Sequence, residues 1–207
     1  MHLSGNQLAA LIAATSFAAG LNVYATVAAL GLLSHAGWIA LPPSLHILDS
    51  WWVIGIAGVM FLIEFVADKI PAFDLLWNAL QTFVRVPVAA LIAFAATSQL
   101  SPQLQLISAL AASLIALAAH GGKIAVRAAV TPSPEPLSNI GLSAGEDVLA
   151  IFLTWFAGAH PYWTLAIVAA LLILIAFAIH FVIRSLRALF RGAERSLFRS
   201  DPAPHSF

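Results

Sequence analysis

Six long apolar stretches, separated by short polar breaks, run through the chain. They cover roughly residues 7–35, 51–69, 74–98, 104–127, 139–159 and 162–185. A helix needs about 20 apolar residues to cross the hydrocarbon core of a bilayer, and these stretches are close to that length or longer. Backbone amides in lipid must be satisfied within their own segment, which favours helices. The pattern predicts an all-α fold, a polytopic transmembrane helical bundle of about six spans.

Two of the stretches indicate kinked or broken helices. The first is too long for one straight span and holds Gly20 and Asn22 near its middle. The third contains Pro87, which predicts an amphipathic segment at the interface followed by a bend. A weak internal repeat is also predicted, because Gly20-Leu-Asn22-Val aligns with Gly145-Glu-Asp147-Val, and spans one and two would then match spans five and six. Chance similarity is the alternative.

The composition supports a membrane protein and removes several classes of function. Of the 207 residues, 61% are hydrophobic and 9% are charged, against about 25% charged in soluble domains. The absence of cysteine excludes disulfides, zinc-thiolate sites and thiol catalysis. The zero net charge offers no basic surface for nucleic acid. Since the chain also lacks nucleotide-binding and metalloprotease motifs, we predict no cofactor and no metal.

The basic residues predict the orientation of the bundle in the membrane. With six alternating spans every Lys and Arg falls on one side, so the positive-inside rule predicts that both termini are cytoplasmic. Residues 1–185 would form the bundle and residues 186–207 a basic amphipathic tail. The stretch from Arg184 to Arg199, which leads into that tail, carries Arg184, Arg187, Arg191, Arg195 and Arg199 on one face. We expect it to contact anionic lipids of the bilayer.

Charged side chains within the apolar stretches are the main functional signal, because burying a charge in lipid costs at least about 2.5–3.5 kcal/mol. Glu64 and Asp68 share one face of span two. His120, Lys123 and Arg127 form a stripe on span four. We predict that a carboxylate of span two lies within salt-bridge reach of Lys123 or Arg127.

The predicted substrate or ion pathway groups these stripes with the charged start of span five. Its members are Asn22, Glu64, Asp68, Lys69, Asp74, Arg85, His120, Lys123, Arg127, Glu146 and Asp147. In the structural alternative, opposite charges only fix the helix register, or the side chains snorkel to water. No ligand spacing enforces a metal site at His120.

Several of these residues lie in motifs that resemble a known family. The stretch from Glu64 through Asp68-Lys69-Ile-Pro71 to Asp74 is its most specific part, followed by Gln81-Thr-Phe-Val-Arg85. The segments Gly20-Leu-Asn22-Val-Tyr24, His120-Gly-Gly-Lys123 and Glu146-Asp147 match as well. The chain resembles, over about residues 5 to 160, the small bacterial integral membrane proteins grouped as domain of unknown function 4126. Pro87 is displaced by one residue from the family pattern. The resemblance implies membrane residence and a shared polar site, and it implies no substrate.

Three functions are compatible with these features. The leading hypothesis is a small transporter or channel-like protein, for which an open polar cavity reaching both faces would be the sign. The alternatives are an intramembrane enzyme acting on a lipid headgroup, with Glu64, Asp68 or His120 as acid or base, and a non-catalytic accessory protein. A cavity that opens sideways to lipid would favour the enzyme. A dry cluster in which every charge is paired would favour the accessory protein. An enzyme is the less favoured class; the substrate is not identified, and a homodimer is left open.

Overall fold

The computed structural model of the protein describes residues 3–68, 71–130 and 136–198, which form helices and no strands. The α-helices are α1 (Gly5–Leu21), α2 (Val23–His35), α3 (Trp51–Ala67), α4 (Pro71–Ala96), α5 (Pro102–Val130), α6 (Pro136–Ala159) and α7 (Pro161–Phe198), with a 3-10 helix at Pro43–Asp49 before α3. The predicted all-α fold is confirmed.

The membrane-spanning character of the helices is also confirmed. Four segments of the described chain are long and apolar enough to cross a bilayer, namely Leu76–Ala96, Pro102–Arg127, Ile140–Ala159 and Pro161–Ser185. The 3-10 helix and α3, which meet at 62°, together supply a fifth. The count is roughly the predicted one, and the difference lies in the first apolar run.

The first apolar run forms a re-entrant hairpin. Helix α1 ends at Leu21, and a single extended residue, Asn22, separates it from α2. The chain then folds back, because Leu11 and Leu30 pack in the same apolar cluster, whereas a straight helix would hold them about 28 Å apart. The predicted break is therefore present, and it reverses the chain.

This reversal changes the positions of the two termini. Asn6 Nδ2 donates to the hydroxyl of Tyr162 at 2.8 Å, so α1 and α7 begin at the same end of the bundle. Helix α7 then continues for 38 residues, a length of about 55 Å. The first run therefore returns to the end of the bundle where it begins, and up to five crossing segments remain. The membrane side on which each terminus lies stays a prediction.

Helix α1 lies at the centre of the bundle, in contact with α2, α4, α5, α6 and α7. Small side chains allow this crowding, since Ala10, Ala14, Ala18 and Ala19 are fully buried, and small residues let helices approach closely in membranes. Gly20 is required at the end of α1, because a Cβ there would overlap the carbonyl oxygen of Ala116 on α5. The hairpin is thus held against α5 by its smallest residues.

Three further predictions concern segments of continuous helix. Helix α4 runs unbroken through Pro87, so the separate interfacial segment is absent.

Gly145 and Asp147 lie inside the continuous helix α6, so this half of the predicted repeat has no break to match the one at Asn22. Helix α7 continues past the expected boundary at residue 185 as far as Phe198.

Candidate functional site: an ionic cluster at the hairpin tip

The tip of the hairpin lies near the middle of the membrane-spanning helices. Asn22 contacts Asp147, which lies within the span Ile140–Ala159. Leu21 contacts Lys123, and the adjacent Gly122 faces Ile175, near the middle of the span Pro161–Ser185. Irregular backbone at this depth is tolerated only when protein or a cavity surrounds it. Here the surroundings are ionic.

Eight ionisable side chains surround the tip, and with Asn22 they form what we call the tip cluster. They are Glu64, Asp68, Arg85, His120, Lys123, Arg127, Glu146 and Asp147. Helices α3 to α6 each contribute to the set, and all but Glu146 are buried residues. The predicted charges on spans two, four and five therefore converge at one place.

Lys123 lies at the centre of the cluster. Its Nζ is 3.1 Å from Asp68 Oδ2, 3.1 Å from Glu146 Oε2 and 3.8 Å from Glu64 Oε1. It also donates to the carbonyl oxygen of Leu21 at 3.3 Å. The predicted contact between a span-two carboxylate and the basic stripe is confirmed.

Arg127 adds a second cation to the same carboxylates. Its Nη2 lies 2.8 Å from Asp68 Oδ2 and 3.1 Å from Glu146 Oε2. The hydroxyl of Ser143 donates to the same oxygen of Asp68 at 3.2 Å. Asp68 is therefore the acceptor that connects α3 with α5 and α6, and charge-assisted bonds of this kind are among the strong ones in proteins.

Arg85 joins α3, α4 and the hairpin. Its Nη2 donates to Glu64 Oε1, and its Nη1 donates to the carbonyl oxygen of Gly20 at 3.1 Å. The last carbonyls of a helix have no intrahelical partner, and the C-terminus carries a partial negative charge. Arg85 and Lys123, which bind the carbonyl oxygens of Gly20 and Leu21, therefore stabilise the end of α1 inside the bundle.

The contacts of His120 define its tautomer. Arg85 can only donate, so His120 Nδ1, which lies 2.8 Å from Arg85 Nη1, is the acceptor. The proton is then on Nε2, which faces Thr82 Oγ1 at 2.8 Å and the carbonyl oxygen of Asn78 at 3.1 Å. His120 is thus a neutral imidazole that holds the guanidinium of Arg85 in place.

Asn22 connects the second half of the hairpin to α6. Its Oδ1 caps α2 by accepting from the backbone N–H of Ala25 at 2.9 Å, and its Nδ2 donates to Asp147 Oδ1 at 2.8 Å. The N-terminus of α2, which carries a partial positive charge, therefore lies beside a carboxylate. The two ends of the broken helix thus contact groups of opposite charge.

The charges of the cluster do not balance. Its described side chains include four carboxylates (Glu64, Asp68, Glu146 and Asp147) and three cations (Arg85, Lys123 and Arg127), while His120 is neutral. Asp147 has no Lys or Arg within salt-bridge distance among the described residues. Its Oδ2 is buried and accepts no hydrogen bond there, like Glu64 Oε2 and Asp68 Oδ1. Counted over the described side chains of the cluster, full ionisation gives one excess negative charge.

The structure brings together most of the residues that the sequence indicated. Nine of the eleven form the tip cluster; Lys69 lies outside the described residues, and the side chain of Asp74 is not described. Sequence reasoning missed Ser143 and the carbonyls of Gly20 and Leu21. It also missed Asn78 and Thr82, although these precede Arg85 at helical spacing, a signal that could have revealed them. No three His, Asp or Glu residues of the described chain are placed to hold a metal ion.

An apolar groove reaches the cluster from the outside of the bundle. It has a volume of about 490 Å³ and lies between α1, α5, α6 and α7. Its walls include Phe17, Leu142, Leu171 and Ile175, and Lys123 and Glu146 also line it. It is open sideways, since Gly141 and Gly145 at its edge are exposed.

Residues 9–180 match the family described as Domain of unknown function (DUF4126). The chain belongs to this family. The match contains every member of the tip cluster and extends past the motifs that carried the resemblance. No curated protein and no solved structure matches the chain. The family has no assigned activity, so membership supports an integral membrane protein of unassigned activity.

Proposed function

We propose that the protein is a small transporter or channel-like protein whose translocation site is the tip cluster. One observation carries the proposal: the hairpin ends half-way through the bundle, where the broken helix contacts buried charges. Many transporters bind substrates and coupling ions near the midplane at interrupted helices, whose ends contact ions of opposite charge. The tip at Asn22 has this architecture.

The excess carboxylate favours coupling to a proton or a monovalent cation. An intramembrane charge without a partner is costly, so one positive charge bound beside Asp147 would bring the cluster to neutrality. Asp147 is the strongest candidate to receive it, because the other three carboxylates already contact cations. Binding there would also weaken the contact with Asn22, which joins α6 to the hairpin.

We further propose that the end of the bundle where α7 finishes is cytoplasmic in a bacterial inner membrane. Lys123, Arg127, Arg184 and Arg187 lie in the later parts of α5 and α7, which run towards that end. The positive-inside rule then orients the bundle with its N-terminus outside. Arg184 and Arg187 would lie near the surface where anionic lipids are found.

Reporter fusions test this orientation directly. A reporter that fluoresces only in the cytoplasm should be active after Ser200 and inactive before Met1, and a reporter that needs export should give the opposite pattern. The reason is that five crossings remain after the re-entrant run when the 3-10 helix and α3 are counted as one span. Activity of one reporter at both termini would contradict the hairpin arrangement.

Proteoliposome uptake tests the transport proposal. Vesicles containing the purified protein should take up at least one solute from a panel of inorganic cations, organic cations and anions when a proton gradient is applied. The substitution Asp147→Asn should abolish this uptake. Asp49→Asn is the matched control, because Asp49 pairs with His46 at the other end of the bundle. Equal uptake in protein-free vesicles, or full uptake by Asp147→Asn, would contradict the proposal.

The groove favours a second candidate, an intramembrane enzyme acting on a lipid headgroup. A cavity that opens sideways to lipid and ends at Glu146 and Lys123 could admit a lipid to an acid and a base. Incubation with mixed lipids followed by mass spectrometry separates the two, since only an enzyme would change the headgroup composition. Intact lipids together with solute uptake would exclude this candidate.

A further inference from the structure

The apolar groove has the size and shape of a ligand site. Its volume of about 490 Å³ lies within the range of small-molecule pockets, which is about 300–1,000 Å³. Such pockets combine apolar walls with a few polar groups that orient the ligand. Here the walls come from four helices, and the charged groups are Lys123 and Glu146.

Two glycines of α6 keep the groove open. Gly141 and Gly145 lie one turn apart, both line the groove, and a Cβ at either position would meet no atom within 4 Å. Gly122, on the opposite wall, lies against Ile175, where a Cβ would come within 2.7 Å of that side chain. The space in front of Gly141 and Gly145 is therefore left by the missing side chains of α6, and a Cβ there would enter it without meeting a neighbour.

The charges at the groove favour a cation. The carboxylate of Glu146 is the accessible charge, since its side chain is 13% exposed whereas that of Lys123 is 0% exposed. The ammonium of Lys123 is buried in its contacts with Asp68, Glu146 and the carbonyl oxygen of Leu21. Because the described cluster carries one excess negative charge when Glu146 is included, a positive group at the inner end of the groove would be attracted.

We infer that the groove binds an organic cation with a bulky apolar body, which enters sideways from the lipid. The apolar body would lie against Leu142, Leu171 and Ile175, and the positive centre would lie beside Glu146. This inference rests on the proposed function and names the substrate class of the transporter. A lipophilic cation is suited to this route, because it concentrates in the membrane before it reaches the groove.

Binding of a matched pair of ions tests the charge preference. Tetraphenylphosphonium and tetraphenylborate have nearly the same size and opposite charge, and calorimetry in a non-ionic detergent can follow both on the purified full-length protein. Saturable binding of the phosphonium alone is the expected result. Tetramethylammonium, which has the charge without the apolar body, should bind at least about tenfold more weakly, in proportion to the apolar contacts it lacks. Equal binding of the borate and the phosphonium would overturn the inference.

Two variants locate the site. Glu146→Gln should weaken phosphonium binding at least about tenfold through the loss of one charged contact. Gly145→Leu should abolish binding by filling the groove, and it leaves the ionic contacts intact. Gly58→Leu on α3 is the matched control, because a Cβ there also meets no neighbour and Gly58 does not line the groove. Unchanged binding in Gly145→Leu would overturn the inference even if Glu146→Gln misfolds.

Binding and uptake separate this inference from the proposed function. Phosphonium binding that Gly145→Leu abolishes, without uptake of any solute, would support the groove and contradict transport. Uptake of another solute by a protein that does not bind the phosphonium would contradict the groove alone. Phosphonium uptake that both Gly145→Leu and Asp147→Asn abolish would support both.

Discussion

Helices α3 and α6 each bring two carboxylates to the hairpin tip, but the two pairs have different surroundings. Glu64 and Asp68, at the end of α3, contact Arg85, Lys123 and Arg127 directly and are buried. On α6, Glu146 also contacts Lys123 and Arg127 but is partly exposed to the groove, whereas Asp147 contacts the amide of Asn22 and no cation among the described residues. The α3 carboxylates therefore have the surroundings of a structural pair, whereas Asp147 lacks a cationic partner among the described residues, as the proposed coupling site requires.

The largest effect is expected when the cation shared by both pairs is removed. Lys123→Met should lower the free energy of unfolding by about 3–5 kcal/mol, because it leaves Asp68 and Glu146 with fewer partners in a buried site. Thermal denaturation in detergent measures the loss. Combining Lys123→Met with Asp68→Leu should recover much of it. A double variant that is no more stable than the single one would show that charge pairing does not account for the loss.

A smaller loss is expected from neutralising the α3 carboxylate alone. Asp68→Asn should cost about 2–3 kcal/mol, because Lys123 and Arg127 would then share a neutral acceptor in place of a charged one. The same thermal assay detects this change, and Asp49→Asn at the other end of the bundle is the control. If Asp68→Asn were as stable as the unmodified protein, the contrast between α3 and α6 would lose its basis.

The smallest loss of stability is expected on α6. Asp147→Asn should cost less than about 1 kcal/mol, because Asp147 has no salt bridge to lose and an asparagine oxygen can still accept from Asn22. The same change should abolish solute uptake. Stability and activity would thus separate at Asp147 and fall together at Asp68. If Asp147→Asn and Asp68→Asn destabilised the protein equally, both carboxylates would have a structural role.

The contrast also shows what the sequence could predict. Glu64 and Asp68, and likewise His120, Lys123 and Arg127, share a helix face because of the 3.6-residue period, and the cost of buried charge made their pairing predictable. The contact of Asn22 with Asp147 joins residues 125 positions apart. Local periodicity contains no information about such a contact.

The reversal at Asn22 was hidden for a related reason. Hydropathy measures how apolar a run is and gives no direction, and the first run contains no Lys or Arg to show whether it crosses the membrane or returns. The backbone carbonyls of Gly20 and Leu21 were missed because every residue has a carbonyl. The two carbonyls differ from others only because Arg85 and Lys123 are placed to bind them at the end of α1.

The hairpin tip also has a consequence for biogenesis. Its partners are made late, since Arg85 follows Gly20 by 65 residues and Lys123 follows Leu21 by 102. At a synthesis rate of about 5–20 residues per second, the first helices to leave the ribosome wait roughly 5–20 seconds for the cation that completes their ends. During that interval the nascent chain presents unsatisfied carbonyls to lipid or to the insertion machinery. The hairpin therefore depends for its final position on residues that are synthesised much later.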